Sequence, residues 1–185
     1  MVLAVLWVPF ILTTLFAGIA ILVTGRYPRP LFELNVGIMR WNWRVGFYVY
    51  AALGTDKYPP FSFADRPDYP AKFDVVYDAH PSRLSVPLRW FAAAPHLVIV
   101  ALIMGDLFSF NQPSGVASAA FSLLNVFVVA AGVLLLIAGR YPQGLFDFLL
   151  GINRWVYRVL VYVAFIRSEY PPFRFDAGNP DDSLD

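Results

Sequence analysis

The chain contains no cysteine, which excludes disulfide bonds, thiolate metal sites, iron–sulfur clusters and cysteine nucleophiles. It is also poor in charge, because only 15% of its 185 residues are Asp, Glu, Lys or Arg, whereas soluble domains carry about a quarter. The formal net charge is +1, so bulk charge predicts no nucleic-acid partner. Together with 58% hydrophobic residues, this composition predicts an integral membrane protein.

Catalytic motifs are absent as well. The sequence has no phosphate-binding loop, no nucleophile elbow and no cluster of His and carboxylate residues, so it predicts neither enzyme activity nor a cofactor. Asp78 and His80 match a pair of metal ligands, but a turn before Pro81 explains the same residues. We therefore predict no metal site and no catalytic residue.

Three apolar stretches are long enough to cross a bilayer, at residues 2–24, 86–104 and 117–138. The first and third lack ionisable side chains and have 23 and 22 residues. As helices they would each be about 33 Å long, against a hydrocarbon core of roughly 30 Å. The middle stretch contains Arg89, close enough to its end to reach the headgroups, and His96. These two residues form a candidate polar site in the span, although a bond from His96 to a backbone carbonyl is the favoured interpretation.

One sequence unit occurs twice. Aligning residues 25–53 with 139–167 gives 14 identities in 29 positions, and Tyr-Pro-Pro-Phe follows at 58–61 and 170–173. The unit reads as a spanning helix, Gly-Arg-Tyr-Pro, a second helix and Tyr-Pro-Pro-Phe. We therefore predict a first repeat over residues 1–68 and a second over 69–185, which ends in a polar tail.

The two corners predict defined helix ends. Gly25 and Gly139 fit left-handed C-caps, and the following Arg-Tyr-Pro prevents each helix from continuing. The second helices are predicted over residues 31–53 and 145–166. Each carries one narrow polar stripe among aromatic residues, which suits an amphipathic helix at the membrane interface or one packed against protein.

The distribution of basic residues favours one topology. With three spans, all 14 Lys and Arg residues fall on one side or at its margin, and the positive-inside rule makes that side cytoplasmic. If the second helices crossed as well, the chain would have five spans and inverted repeats. We predict an all-α membrane protein with three transmembrane helices, two repeated interfacial helices, and a small cytoplasmic loop with short β-strands near residues 72–77.

The repeated basic and aromatic residues are candidate contacts to anionic lipid headgroups or to a partner protein. In this hypothesis the tryptophans set the depth of the second helices. The alternative is structural, with Glu33 paired to Arg40 and Asp147 paired to Arg154. The candidates are Arg26, Arg40, Arg44, Arg140, Arg154, Arg158, Trp41 and Trp155.

The repeated motifs carry a family resemblance. Gly-Arg-Tyr-Pro, Leu-Phe-(Glu/Asp), Gly-Ile-x-Arg-Trp and Tyr-Pro-Pro-Phe resemble a family of bacterial, mainly actinobacterial, integral membrane proteins of uncharacterised function. In that family a complete unit has two hydrophobic helices before the amphipathic one. The second repeat fits this pattern from about Tyr69, whereas the first lacks the leading helix, so we expect a shortened or internal start. The resemblance implies no catalytic residues.

These observations predict a noncatalytic module in the bacterial cytoplasmic membrane, with its repeats and C-terminus in the cytoplasm. The module would contact anionic lipids or act as an accessory or scaffold subunit of a membrane complex. Its expected partners are membrane lipids, a membrane protein or a second copy of the chain. The alternative function is a small transporter or channel component built from internal repeats.

Overall fold

The computed structural model describes residues 2–49, 54–78, 80–104, 123–139 and 143–174. These residues form five α-helices and no strand. The helices are α1 (Val2–Thr24), α2 (Arg29–Tyr48), α3 (Ser85–Met104), α4 (Leu123–Ala138) and α5 (Gln143–Val163).

Two helices, α1 and α3, are long and apolar enough to cross a membrane. Their bounds agree with the predicted spans to within one residue. The described part of α4 has only 16 residues, or about 24 Å, which is short for a crossing helix. The prediction of three spans is therefore corrected to two, while residues 117–122 of the third predicted span lie outside the described part of the chain.

Both glycine corners adopt the predicted conformation. Gly25 has φ 70° and Gly139 has φ 63°, and their backbone N–H groups bond the carbonyls of Ile21 and Leu135 at 2.8 and 2.9 Å. Glycine reaches this left-handed region without the steric cost of a Cβ atom. The repeated motif therefore ends both apolar helices in the same way.

The repeat helices lie against the middle of other helices instead of beyond their ends. Asn35, in the second turn of α2, places Oδ1 2.5 Å from Oγ1 of Thr13, which is near the midpoint of α1. In the second repeat, Phe148 of α5 packs on Phe127 of α4 with ring centroids 5.4 Å apart. Both repeat helices therefore pack beside the apolar helices, and their location at the membrane interface stays a prediction.

The two repeat helices also pack on each other. Asn42 of α2 donates a hydrogen bond to the hydroxyl of Tyr157 at 2.5 Å, and the Trp43 ring meets the same tyrosine edge to face at 4.8 Å. Eleven of the 21 residues in α5 are buried, and 12 of the 20 in α2. These helices form the centre of the protein, so their aromatic residues stabilise its core.

The loop after α2 folds back along that helix without forming the predicted strand. The Phe73 carbonyl accepts a bond from Arg40 Nε at 3.0 Å, and the Tyr77 hydroxyl bonds the Tyr27 carbonyl at 2.5 Å. Phe73, Asp74 and Tyr77 therefore find polar partners on α2 and the first corner.

The end of α1 and the beginning of α3 are adjacent. A Cβ atom on Gly25 would lie 3.1 Å from Nε of Arg83, two residues before α3 starts. The start of α3 therefore lies next to the end of α1 that Gly25 closes.

Candidate functional site

Arg89 turns into the protein and does not reach outward to the headgroups as predicted. Its side chain is buried, with 2% exposed, and it donates hydrogen bonds to the Arg167 carbonyl at 3.0 Å and to Ser168 Oγ at 2.8 Å. The guanidinium also lies 5.5 Å from the centre of the Tyr162 ring, within cation–π range. Arg89 thus joins α3 to the segment that follows α5.

His96 is fully buried and bonded at both ring nitrogens. Nε2 lies 2.8 Å from the Pro171 carbonyl, and Nδ1 lies 3.2 Å from the Tyr170 hydroxyl. Because a carbonyl only accepts, Nε2 donates and Nδ1 accepts from the tyrosine. The ring stacks on Trp155, with centroids 5.5 Å apart. These contacts agree with the favoured interpretation, in which His96 bonds a backbone carbonyl.

Arg44 is one of the largest fully buried side chains in the protein. Its guanidinium donates to the carbonyls of Ser62 (2.9 Å) and Ala64 in the loop after α2. Burial lowers the pKa of Arg44, and the nearby Asp65 carboxylate opposes that shift. The side chain therefore fixes the loop on α2, at a place that lipid headgroups do not reach.

Arg40 bonds a later part of the loop that follows α2. It forms an ion pair with Asp74 at 2.6 Å. Glu33, its predicted partner, pairs instead with Arg29 at 3.0 Å. Residues four apart lie one turn from each other on a helix, whereas Glu33 and Arg40 are about 10 Å apart along the axis. The predicted Glu33–Arg40 pair is therefore wrong.

The matching arginines of the second repeat, Arg154 and Arg158, are half-buried on α5. Arg158 lines a small cavity of about 90 Å³ together with Arg167 and Arg174. Arg140 lies outside the described residues.

Both candidate tryptophans are inside the protein. Trp155 has no exposed surface, and Trp41 is 8% exposed with its ring against Phe61 at 4.8 Å. These contacts hold the two rings in the core, where neither can set the depth of its helix in a lipid surface.

A buried polar cluster at the first corner was missed from the sequence. Asn35 Nδ2 donates to the Tyr27 hydroxyl at 3.0 Å and lies 3.4 Å from Thr14 Oγ1. Burial raises the pKa of Tyr27 to about 12. The aligned residue of the second repeat is Leu149, so a difference between the two copies was the available signal.

Asp78 and His80 are joined by a local hydrogen bond, which agrees with the simpler of the two sequence interpretations. The His80 backbone N–H donates to Asp78 Oδ1 at 3.1 Å, and Ser168 Oγ donates to Oδ2 at 2.6 Å. The bond from Ser168 lowers the pKa of Asp78. Across the described part of the chain, no group of three or more His, Asp or Glu side chains is placed to hold a metal ion.

An open groove of about 330 Å³ separates α1 from α3. Its floor is the ring of Phe165, which stacks on Trp90 and would lie 3.0 Å from a Cβ atom on Gly18. Phe165 has φ 62°, and the bond from the Ile166 N–H to the Val161 carbonyl closes the end of α5 around it. A side chain in this conformation costs about 1–2 kcal/mol relative to glycine. Sequence reasoning missed this groove, because Phe165 comes from a distant part of the chain.

All regular secondary structure in the described residues is helical, and it is built from two copies of one helical unit. The family described as Domain of unknown function (DUF4389) matches residues 1–62 and 114–174, one match for each copy. These matches cover more than half of the chain, so the protein belongs to this family. The predicted internal repeat and the uncharacterised family are confirmed. No curated protein and no solved structure matches the chain.

Proposed function

We propose that the chain is a noncatalytic integral membrane module that contacts anionic lipids of the bacterial cytoplasmic membrane. The main support for this proposal is the distribution of apolar side chains on α1 and α3. The exposed faces of these helices are more apolar than their buried faces. A soluble protein shows the opposite pattern, because water favours burial of large apolar side chains.

On α1 the exposed face is a continuous apolar stripe. Only 28% of its most apolar window is buried, and Thr14 and Ala17 occupy the protein side together with Phe10 and Ile21. The exposed stripe consists of Val5, Val8, Ile11, Leu12, Leu15, Phe16, Ile19, Leu22 and Val23. Hydrocarbon is the environment in which such a face is stable.

On α3 the contrast between an apolar exposed face and a polar buried face is stronger. Its buried face carries Arg89 and His96, while its exposed face carries Leu88, Trp90, Phe91 and Val98. Ionisable residues inside a membrane usually face the protein and bond there, as both do here. We therefore propose that α1 and α3 cross the bilayer.

Basic residues at the shared end of these helices favour anionic lipids. Arg26 and Arg83 are both exposed there, and Arg29, which pairs with Glu33, follows Arg26 by three residues. By the positive-inside rule this end faces the cytoplasm, where the leaflet surface carries negative charge.

An accessory-subunit function has separate support. Phe91 is 81% exposed on α3, next to Leu88 at 62%, and aromatic residues are enriched in protein interfaces. Crosslinking in native membranes from this face would yield a hetero-partner if the function holds. A channel is less well supported, because Thr13, Arg89 and His96 bond protein groups instead of lining an open path.

The test is the thermal unfolding of the full chain in nanodiscs. We expect nanodiscs with phosphatidylglycerol to raise Tm by about 5 °C over phosphatidylcholine alone, because ligands of the folded state stabilise it. Phosphatidylserine should act similarly, and high salt should reduce the effect. An equal Tm in neutral and anionic nanodiscs would contradict the proposal.

A further inference from the structure

The groove between α1 and α3 has two chemically different parts. Its walls are apolar along their whole length, with Leu15, Leu22, Pro87 and Trp90 among the lining residues. Its volume of about 330 Å³ falls in the range of small-molecule sites. The walls therefore suit a hydrocarbon chain and offer almost nothing to a polar ligand.

The end of the groove is basic. Arg83 lies three residues before Val86 of the groove wall, and its guanidinium reaches across to Gly25, three residues after Leu22. Three residues correspond to about 5 Å along a helix, so the positive charge lies roughly one turn beyond the apolar walls. Arg26 is exposed beside Gly25, and within the described residues no ion pair joins Arg26 or Arg83 to a carboxylate.

The floor of the groove is conformationally strained. Phe165 holds a positive φ with its ring between Gly18 and Trp90. Strain of this kind persists where the surrounding structure imposes it, and it is concentrated at functional sites. The ring closes the bottom of the groove and leaves its side open to the surroundings.

We propose that this groove binds one anionic glycerophospholipid, with an acyl chain between α1 and α3 and the phosphate on Arg83 and Arg26. The inference rests on the proposed function and names its lipid site. A soluble anion would use only the arginines, and a partner helix would use only the apolar walls. A phospholipid satisfies both in one molecule, because its charge and its hydrocarbon are covalently joined.

The experiment uses the full chain in phosphatidylcholine nanodiscs that contain one-fifth phosphatidylglycerol, with native mass spectrometry counting retained phosphatidylglycerol. We expect Arg83→Gln to weaken retention about fivefold, whereas Arg66→Gln, which removes the same charge from the exposed loop, retains it. Leu22→Trp should block the groove and also reduce retention. Its control is Leu12→Trp, on the exposed face of the same helix but outside the groove.

The other possible results contradict either this lipid site or the proposed function. Unchanged retention in both Arg83→Gln and Leu22→Trp, with the wild-type preference intact, overturns this site but leaves the proposed function standing. Loss in only one of the two variants also overturns it, because the site needs both parts. Absence of any preference in the wild type defeats the proposed function as well. Glycerol 3-phosphate should not raise Tm in pure phosphatidylcholine, and a rise equal to that with phosphatidylglycerol would contradict a role for the groove.

Discussion

The arginines of this protein have different roles, and the burial of their side chains distinguishes them. Arg44 and Arg89 are each 2% exposed and donate to backbone carbonyls far away in the sequence. Arg26 and Arg83 are exposed at the end of the apolar groove. A guanidinium has five donors in a fixed plane, so it serves both as a crosslink between backbone segments and as a phosphate ligand.

Replacing Arg44 with Gln should destabilise the fold. The substitution removes two charge-assisted bonds to the carbonyls of Ser62 and Ala64. We expect a loss of about 2–4 kcal/mol in the free energy of unfolding, measured by denaturation in micelles. Arg66→Gln, at an exposed loop position, should change it by less than about 0.5 kcal/mol. Equal stability of the two variants would show that the carbonyl bonds of Arg44 contribute nothing net.

The sequence identified several of these residues but not their partners. The repeat singled out Arg40 and Arg44, yet their acceptors lie 18 to 34 residues further along, in a loop without a regular pattern. Helix periodicity constrains only contacts within one helix. Even there, Glu33 paired with the arginine one turn before it instead of with Arg40. Arg83 was missed because it lies outside both copies of the motif.

At the scale of elements, the two repeats arrange their helices in the same way but have different side chains where the helices meet. Ala17 of α1 and its counterpart Ala131 of α4 are both fully buried. Around them the first copy uses a polar contact between Thr14 and Asn35, whereas the second has Val128 and Leu149 at the aligned positions. At this position the helix pair has a hydrogen bond in the first copy and apolar side chains in the second.

Replacing Asn35 and Thr14 with the aligned residues of the second repeat should show that the two side chains are energetically coupled. Asn35→Leu alone should cost about 1–3 kcal/mol, because it leaves the buried Tyr27 hydroxyl without its donor and Thr14 without its amide. Adding Thr14→Val should cost less than the sum of the single variants, by about 0.5–1 kcal/mol. Thermal unfolding of the four proteins in micelles measures this difference. Strict additivity would mean that Thr14 and Asn35 act independently.

The sequence predicted where the helices begin and end better than it predicted how they pack on each other. The apolar runs predicted α1 and α3 to within a residue, and the glycine caps predicted the ends of α1 and α4, because local chemistry determines where a helix ends. The repeat helices end at Tyr48 and Val163, earlier than the predicted 53 and 166. Their packing beside the apolar helices depends on tertiary contacts such as Trp155 on His96, which no periodicity reveals.

At the scale of the molecule, the crossing of α3 is open to direct measurement. Because the natural chain has no cysteine, a single introduced cysteine is its only thiol. We expect His80→Cys and Gln112→Cys, which flank α3, to react with an impermeant thiol reagent from opposite sides of the membrane. Arg26→Cys should react from the same side as His80→Cys, since Gly25 adjoins Arg83. Labelling of positions 80 and 112 from one side would rule out a crossing α3.

The partners of Arg89 and His96 also bear on how the protein is made. They lie 74 to 79 residues further along the chain, so α3 leaves the ribosome well before residues 167–171 have been translated. During that interval the nascent helix carries a cation and an imidazole without their final ligands. With α3 crossing the bilayer as proposed, its buried polar contacts are completed only after the last repeat has been translated.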